Sequence, residues 1–244
     1  MPQTEQKLAD RLISALQEDE FVLYHQTIVP VNPKPDERPF QEIYVRFTEE
    51  DAKLLPPGTF FPILAECELL PYLDRWVVNR LARWVRSAVK IKPDWAIPLS
   101  NINLSNPTLA DPDFAEYVLR YVDDSYLSDG ALGFELPVES VIAHAAPVKR
   151  LAAALRPHGC RFTLAGLDDS APAIDAVKIL TPEFVKFSAA TAGSRKISDL
   201  IRDCQVLGIR TIVEHVESKA MLEQLRKAKV DFAQGFEISP VKPL

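Results

Sequence analysis

The feature that most constrains this chain is the order of its apolar runs. From about residue 73 onward, strand-like and helix-like segments alternate with no linker and no low-complexity break between them. The pattern predicts a helix over 73–90, a strand at 96–102, a helix over 113–122, a strand at 132–136 and a helix over 139–156. It goes on with a strand at 162–164, a helix over 173–180, strands at 184–187 and 211–214, and a last short run at 232–234. The N-terminal part is different. Leu8, Leu12, Ile13 and Leu16 stand at helical spacing, the β-rich run 21–29 follows at once, and the Pro- and charge-rich stretch 31–39 reads as a turn before the alternating run QEIYVRF. Those two β runs are placed to pair as an antiparallel hairpin. Eight strand candidates separated by helices predict one α/β domain over residues 1–244, a closed (β/α)8 barrel of the TIM type with an irregular antiparallel first strand.

Composition excludes several functions. A formal charge of −6 and a pI near 5.3 leave no clustered excess of Lys and Arg for gripping a nucleic-acid polymer, although one or two placed cations would suffice for a small anion. Cys67, Cys160 and Cys204 are far apart and form no CxxC pair, so they read as buried thiols in a reducing compartment. The start of the chain has no basic and apolar leader, and no uncharged apolar run reaches about 18 residues. A cytoplasmic protein without membrane insertion is the expectation. No GxGxxG or Walker-type loop occurs, and with eight glycines the common phosphate cradles are absent.

In a barrel of this kind chemistry sits at the C-terminal ends of the strands. Glu42, Tyr44 and Arg46 are two residues apart in a strand and therefore share a face, with Ile43 and Val45 on the other. An edge strand with a wet face would look the same. Further runs end in Asn103, Glu135, Lys186, Glu214 with Glu217, and Gln234. Each alone reads as a cap or a solvated rim group, but convergent carboxylates and amides are also the ligand set of hard cations.

The ordered segments QTIV, EIYVR, LDRWV, NLS, FEL, VKF, EHVES and QGF, which span nearly the whole chain, resemble the EAL-domain phosphodiesterases of cyclic di-GMP. The resemblance implies a barrel with an irregular first strand. It also implies roles: Glu42, Asn103 and Glu135 as ligands of a metal pair, Lys186 as the phosphate-side lysine, Glu214 near the attacking water, and Glu217 and Gln234 as supporting polar groups. The departures are more telling. The family's Asp-Asp pair, which bridges and completes its two-metal site, precedes the lysine by 21 residues, the interval from Ala165 to Lys186. Ala165 and Gly166 therefore stand where the aspartates would, and Asp168 and Asp169 fall in the following loop. The family's E-x-T-E is here Glu135-Leu136-Pro137-Val138, and its Lys-x-Asp is Lys186-Phe187-Ser188. Catalysis and resident metal are both expected to be lost, a single Mg²⁺ or Ca²⁺ on Glu42, Asn103 and Glu135 being the less favoured alternative.

The groups that hold nucleotide are partly separate from those that hold metal. Gln26, Arg46 and Asp74 match nucleotide-contacting positions of the family; Arg46 can fork onto a phosphate, and Asp74 can accept from a guanine edge or merely favour a helix start. Tyr44 replaces the usual leucine with a ring able to stack on guanine, similar to the degenerate EAL receptors of type IV pilus systems. His215 stands where some of those receptors place a second aromatic, and is equally readable as a loop histidine without a role. His25 reads as packed or solvent-facing. The resemblance thus implies a silent receptor of cyclic di-GMP that relays ligand state to a protein partner of a bacterial signalling or type IV pilus system, with a homodimer left open. Two alternatives remain: an interaction scaffold that no longer binds nucleotide, and a phosphodiesterase that recruits Asp168 or Asp169 to a rearranged site.

Overall fold

The computed structural model describes residues 3–34, 37–48, 54–55, 57–124, 127, 130–189 and 195–244. Helix α1 (Gln3–Gln17) leads into strand β1 (Phe21–Pro30), which turns back antiparallel along β2 (Phe40–Thr48), and β2 pairs with the short β3 (Leu54–Leu55). Pro35 and Asp36, within the turn read at 31–39, lie outside the described residues. Helices α2 (Pro57–Glu66) and α3 (Leu70–Ile91) precede β4 (Leu99–Asn103); α4 (Asn106–Ala110) and α5 (Phe114–Asp124) precede β5 (Leu132–Pro137). The chain continues through α6 (Val138–Ala143), α7 (Ala145–Leu155), β6 (Arg161–Ala165), α8 (Ala171–Leu180) and β7 (Phe184–Ser188). It ends with α9 (Arg195–Val206), β8 (Arg210–Glu214), α10 (Lys219–Lys227), β9 (Phe232–Ala233) and β10 (Lys242–Pro243).

The predicted barrel is present. Strands run β1-β9-β8-β7-β6-β5-β4-β2, and the β1–β2 ladder closes the ring. From β2 through β9 by way of β4–β8 the pairings are parallel, while β1 is antiparallel to both neighbours, as the hairpin reading required. Two expectations are corrected. The single helix predicted over 139–156 is two helices with a break at His144, because Pro147 lacks an amide hydrogen and its ring crowds the preceding turn. Of the three thiols read as buried, Cys160 and Cys204 are, but Cys67 is only partly covered. Helix α2, which the sequence pattern did not single out, inserts Phe60 and Leu64 into the core.

The core has two parts. A large apolar layer lies between the strands and the surrounding helices, where α3 contributes Leu73, Val77, Val78, Leu81 and Val85 from one face. A second cluster, Ile28, Phe40, Leu99, Phe184, Ile212 and Phe232, plugs the bottom of the barrel, with Phe40 and Phe184 centroids 4.9 Å apart. Above that plug the interior turns polar, and Glu42, Asn101, Glu135, Thr163, Lys186 and Gln234 are all buried. Among the described residues no helix is long and apolar enough to cross a membrane.

The turn after β9 is fixed by a close approach of backbone to backbone. A Cβ on Gly235 would lie 2.2 Å from the Val216 carbonyl oxygen and 2.3 Å from its nitrogen, so neither neighbour could yield by a side-chain rotation. Gly235→Ala is expected to lose roughly 1–3 kcal/mol of stability through overpacking, whereas Gly58→Ala, with nothing within 4 Å of the added carbon, stays near wild type. Denaturant melts of the two variants check this; equal midpoints would refute it.

Candidate functional site

The site is assembled by strand register. Cα partners across the ladders are Tyr24 with Tyr44, Gln26 with Glu42, Asn103 with Glu135, Ala165 with Lys186, and Ser188 with Glu214. Residues from seven strands thus meet at one end of the barrel, where alternation aims their side chains inward.

At the centre lies Lys186, fully buried, with its Nζ 2.6 Å from Glu135 Oε2 and 2.8 Å from Glu42 Oε2. Glu42 accepts on every side: Asn103 Nδ2 donates to Oε1 at 2.8 Å, while the Tyr44 hydroxyl and Gln234 Nε2, each at 2.9 Å, donate to Oε2. Gln234 Nε2 is also 3.0 Å from the Tyr44 oxygen and 3.1 Å from Gln26 Oε1, and Gln26 Nε2 donates to the Ser239 carbonyl at 2.9 Å. One layer deeper, Asn101 donates to Thr163 Oγ1 at 2.7 Å.

Electrostatics follow from one cation facing two acids out of water. For Glu42, burial pushes its pKa upward, but Lys186 and the donors from Asn103 and Gln234 outweigh it and hold the carboxyl down at about 2. For Glu135, burial and then the Glu42 charge prevail over Lys186 and push it up to about 7. Burial alone would lower the ammonium, yet Glu135 and Glu42 together keep Lys186 above its ordinary value. Burial, then Glu42, raises the Tyr44 phenol.

Asp74 sits beside this centre and not in it. Its Oδ2 accepts from Ser105 N at 2.9 Å, Ser105 Oγ at 2.7 Å and Thr108 Oγ1 at 2.6 Å, pinning the β4–α4 turn, and burial raises its pKa despite those donors. A cavity of about 450 Å³ opens there, lined by Asp74, Asn103 and Ser105 together with Phe61 and Leu70. Glu214 lies near enough to raise Glu135, but His215 and Glu217 are exposed on the following loop, His215 at a φ of 61°. Asp168 accepts from Ser170 N in the turn that starts α8. His25 is partly buried, and burial, then Lys242, lowers its pKa. Residues the sequence did not single out include Tyr24, Asn101, Thr163, Thr108 and Ser239. Tyr24 stands two residues before Gln26, so the strand period places both on one face.

Glu135 carries a sign-definite prediction. Because its folded pKa is raised, the native state holds a proton that the unfolded chain has released between about pH 4.5 and 7, and stability falls as pH rises through that window. Glu135→Gln, neutral throughout, is expected to remove this part of the slope. Denaturant titrations of both proteins at steps across the window test it, and parallel pH profiles would overturn the assignment.

Comparison with known proteins agrees with this geometry. The sequence model of the family described as EAL domain matches residues 9–241. The chain is 25% identical over 246 residues to the cyclic di-GMP phosphodiesterase PdeB of Shewanella oneidensis, covering 98% of this chain and 28% of that relative's length. It likewise spans about a third of other curated relatives. Among solved structures, it is similar to the FimX EAL domain of Pseudomonas aeruginosa bound to c-di-GMP, with a TM-score of 0.85, 20% identity and 95% and 94% of the two chains covered. The Xanthomonas citri FimX EAL domain in complex with c-diGMP gives 0.87 and 21%, covering 99% and 95%.

Proposed function

Since the chain belongs to the EAL domain family, we propose that it is a catalytically silent member that binds cyclic di-GMP and passes the bound state to a protein partner. One observation carries the loss of catalysis. The register sets Ala165 beside Lys186, so a methyl group and then Gly166 stand where the family resemblance calls for the bridging carboxylates. Two divalent ions at close separation need several anionic oxygens, and the acids at the centre are Glu42 and Glu135, already shared by the Lys186 ammonium. Among the described residues no group of three or more His, Cys, Asp or Glu is arranged to hold a metal. This donor set does not fit a metal pair. Asp168 is engaged in starting α8, which disfavours a rearranged site.

Ligand binding is supported separately. Gln26, Tyr44 and Arg46 line the mouth, Asp74 opens onto the adjoining cavity, and His215 is exposed on the rim. Two similar folds were solved with c-di-GMP bound. The partner in this reading belongs to a bacterial signalling or type IV pilus system, met in the cytoplasm. A scaffold without nucleotide is the competing reading, favoured by the acids gathered at this end of the barrel, Glu42, Glu135, Glu214 and Glu217, whose uncompensated charge would repel a ligand carrying two phosphodiesters.

Calorimetry with cyclic di-GMP tests the choice. Binding in the micromolar range is expected, weakened by about tenfold or more in Arg46→Ala, the loss of a charge-assisted hydrogen bond. No linear dinucleotide should form with Mg²⁺ or Mn²⁺ present. Absence of binding by the wild type would favour the scaffold, and metal-dependent product would refute silence.

A further inference from the structure

Six arginines among the described residues lie over an aromatic ring, and five of them also pair with a carboxylate, as Arg75 does with Asp111, Arg156 with Glu183 and Arg210 with Glu37. Arg46 is the exception. Its guanidinium carbon is 5.8 Å from the Tyr24 centroid and 5.6 Å from that of Tyr44, yet its hydrogen bond goes only to the Val45 carbonyl beside it, at 2.9 Å. No carboxylate among the described residues lies within ion-pair distance of it.

The backbone explains the stacking. Tyr24 and Tyr44 are direct partners across the β1–β2 ladder, and Arg46 is two residues beyond Tyr44 on the same face. The Tyr44 ring cannot swing away, because its hydroxyl is tied to Glu42 and Gln234 at the bottom of the site. Tyr24 has no side-chain hydrogen bond among the described residues, so its ring and hydroxyl are not engaged elsewhere. A planar cation resting on two rings, with its charge unanswered among the described residues, is set for an oxyanion. Arg75 shows the finished form of the same arrangement: it rests on Phe114 and Tyr117 at 5.8 and 5.5 Å, and the Asp111 carboxylate supplies the anion.

We infer, on the premise that the barrel binds cyclic di-GMP, that Tyr24 is a positioning residue of the nucleotide site: with Tyr44 it forms the platform that aims Arg46 at a phosphodiester oxygen of the ligand. The platform also limits Tyr44, since the Arg46 guanidinium stands over the ring expected to stack on guanine.

The test is calorimetry with cyclic di-GMP on the wild type, Tyr24→Phe, Tyr24→Leu and Arg46→Lys, alongside melting of the free proteins. Tyr24→Leu should bind roughly five- to tenfold more weakly, the size of one partly exposed cation–π contact, while the free protein still unfolds in one cooperative transition above the assay temperature. Tyr24→Phe keeps the ring and should bind within about twofold of wild type. Arg46→Lys, charged but without a plane to stack, should lose affinity as well. Wild-type affinity in Tyr24→Leu overturns the inference; if that variant does not fold, wild-type affinity in Arg46→Lys overturns it. A wild type that does not bind the nucleotide overturns the ligand reading and this inference together, whereas a wild type that binds and is indifferent to Tyr24→Leu overturns only the inference.

Discussion

The β1–β2 ladder runs through eight register pairs, from Phe21 opposite Phe47 to Ile28 opposite Phe40, and the rest of the barrel depends on it. An eight-stranded sheet left open would expose two edges; here the antiparallel hairpin supplies the last seam, because β1 also pairs with β9. The same ladder fixes chemistry. Once Ile28 and Phe40 are committed to the apolar plug at the bottom, the two-residue period forces Gln26, Tyr24, Glu42, Tyr44 and Arg46 onto the inner face toward the mouth. A slip of one residue would turn all five outward.

Inside that frame the charges are few and strongly coupled. Removing an ammonium and two carboxylates from water costs several kcal/mol per ion, and mutual attraction offsets this only when the remaining lone pairs are also satisfied. Glu42 meets the condition through Asn103, Tyr44 and Gln234, so it stays ionised beside Lys186. Glu135 does not: apart from Lys186, the donor found for it among the described residues is Asn101 Nδ2, a distant 3.5 Å away, and its pKa rises to about 7. Lys186 thus faces one acid, Glu42, held ionised by its donors, and a second, Glu135, whose ionisation burial and the Glu42 charge oppose.

Much of this was legible in the chain. Alternation of strand and helix from residue 73 gave the barrel, and the hairpin followed from a Pro-rich turn between two β runs. The strand ends pointed to Glu42, Asn103, Glu135, Lys186 and Gln234, which the fold does gather. Glu217 was singled out by the same pattern and His215 by the resemblance, and both sit on an exposed loop; polarity next to a strand end does not distinguish a buried ligand from a solvated rim. The break at His144 was missed because helical periodicity persists across it, although Pro147 was the signal.

The sequence by itself determined the inner face of each strand, the absence of side-chain carboxylates at Ala165 and Gly166, and the presence of one lysine among several acids. These are local properties: residue type, and a period of two. Tertiary structure alone decided that Ala165 lies level with Lys186, that Asp74 Oδ2 accepts from Ser105 and Thr108, and that Arg46 rests on two rings with no acid among the described residues in ion-pair reach. Register between strands distant in sequence sets those neighbours, and register emerges only when the ring closes and the buried faces choose one alignment.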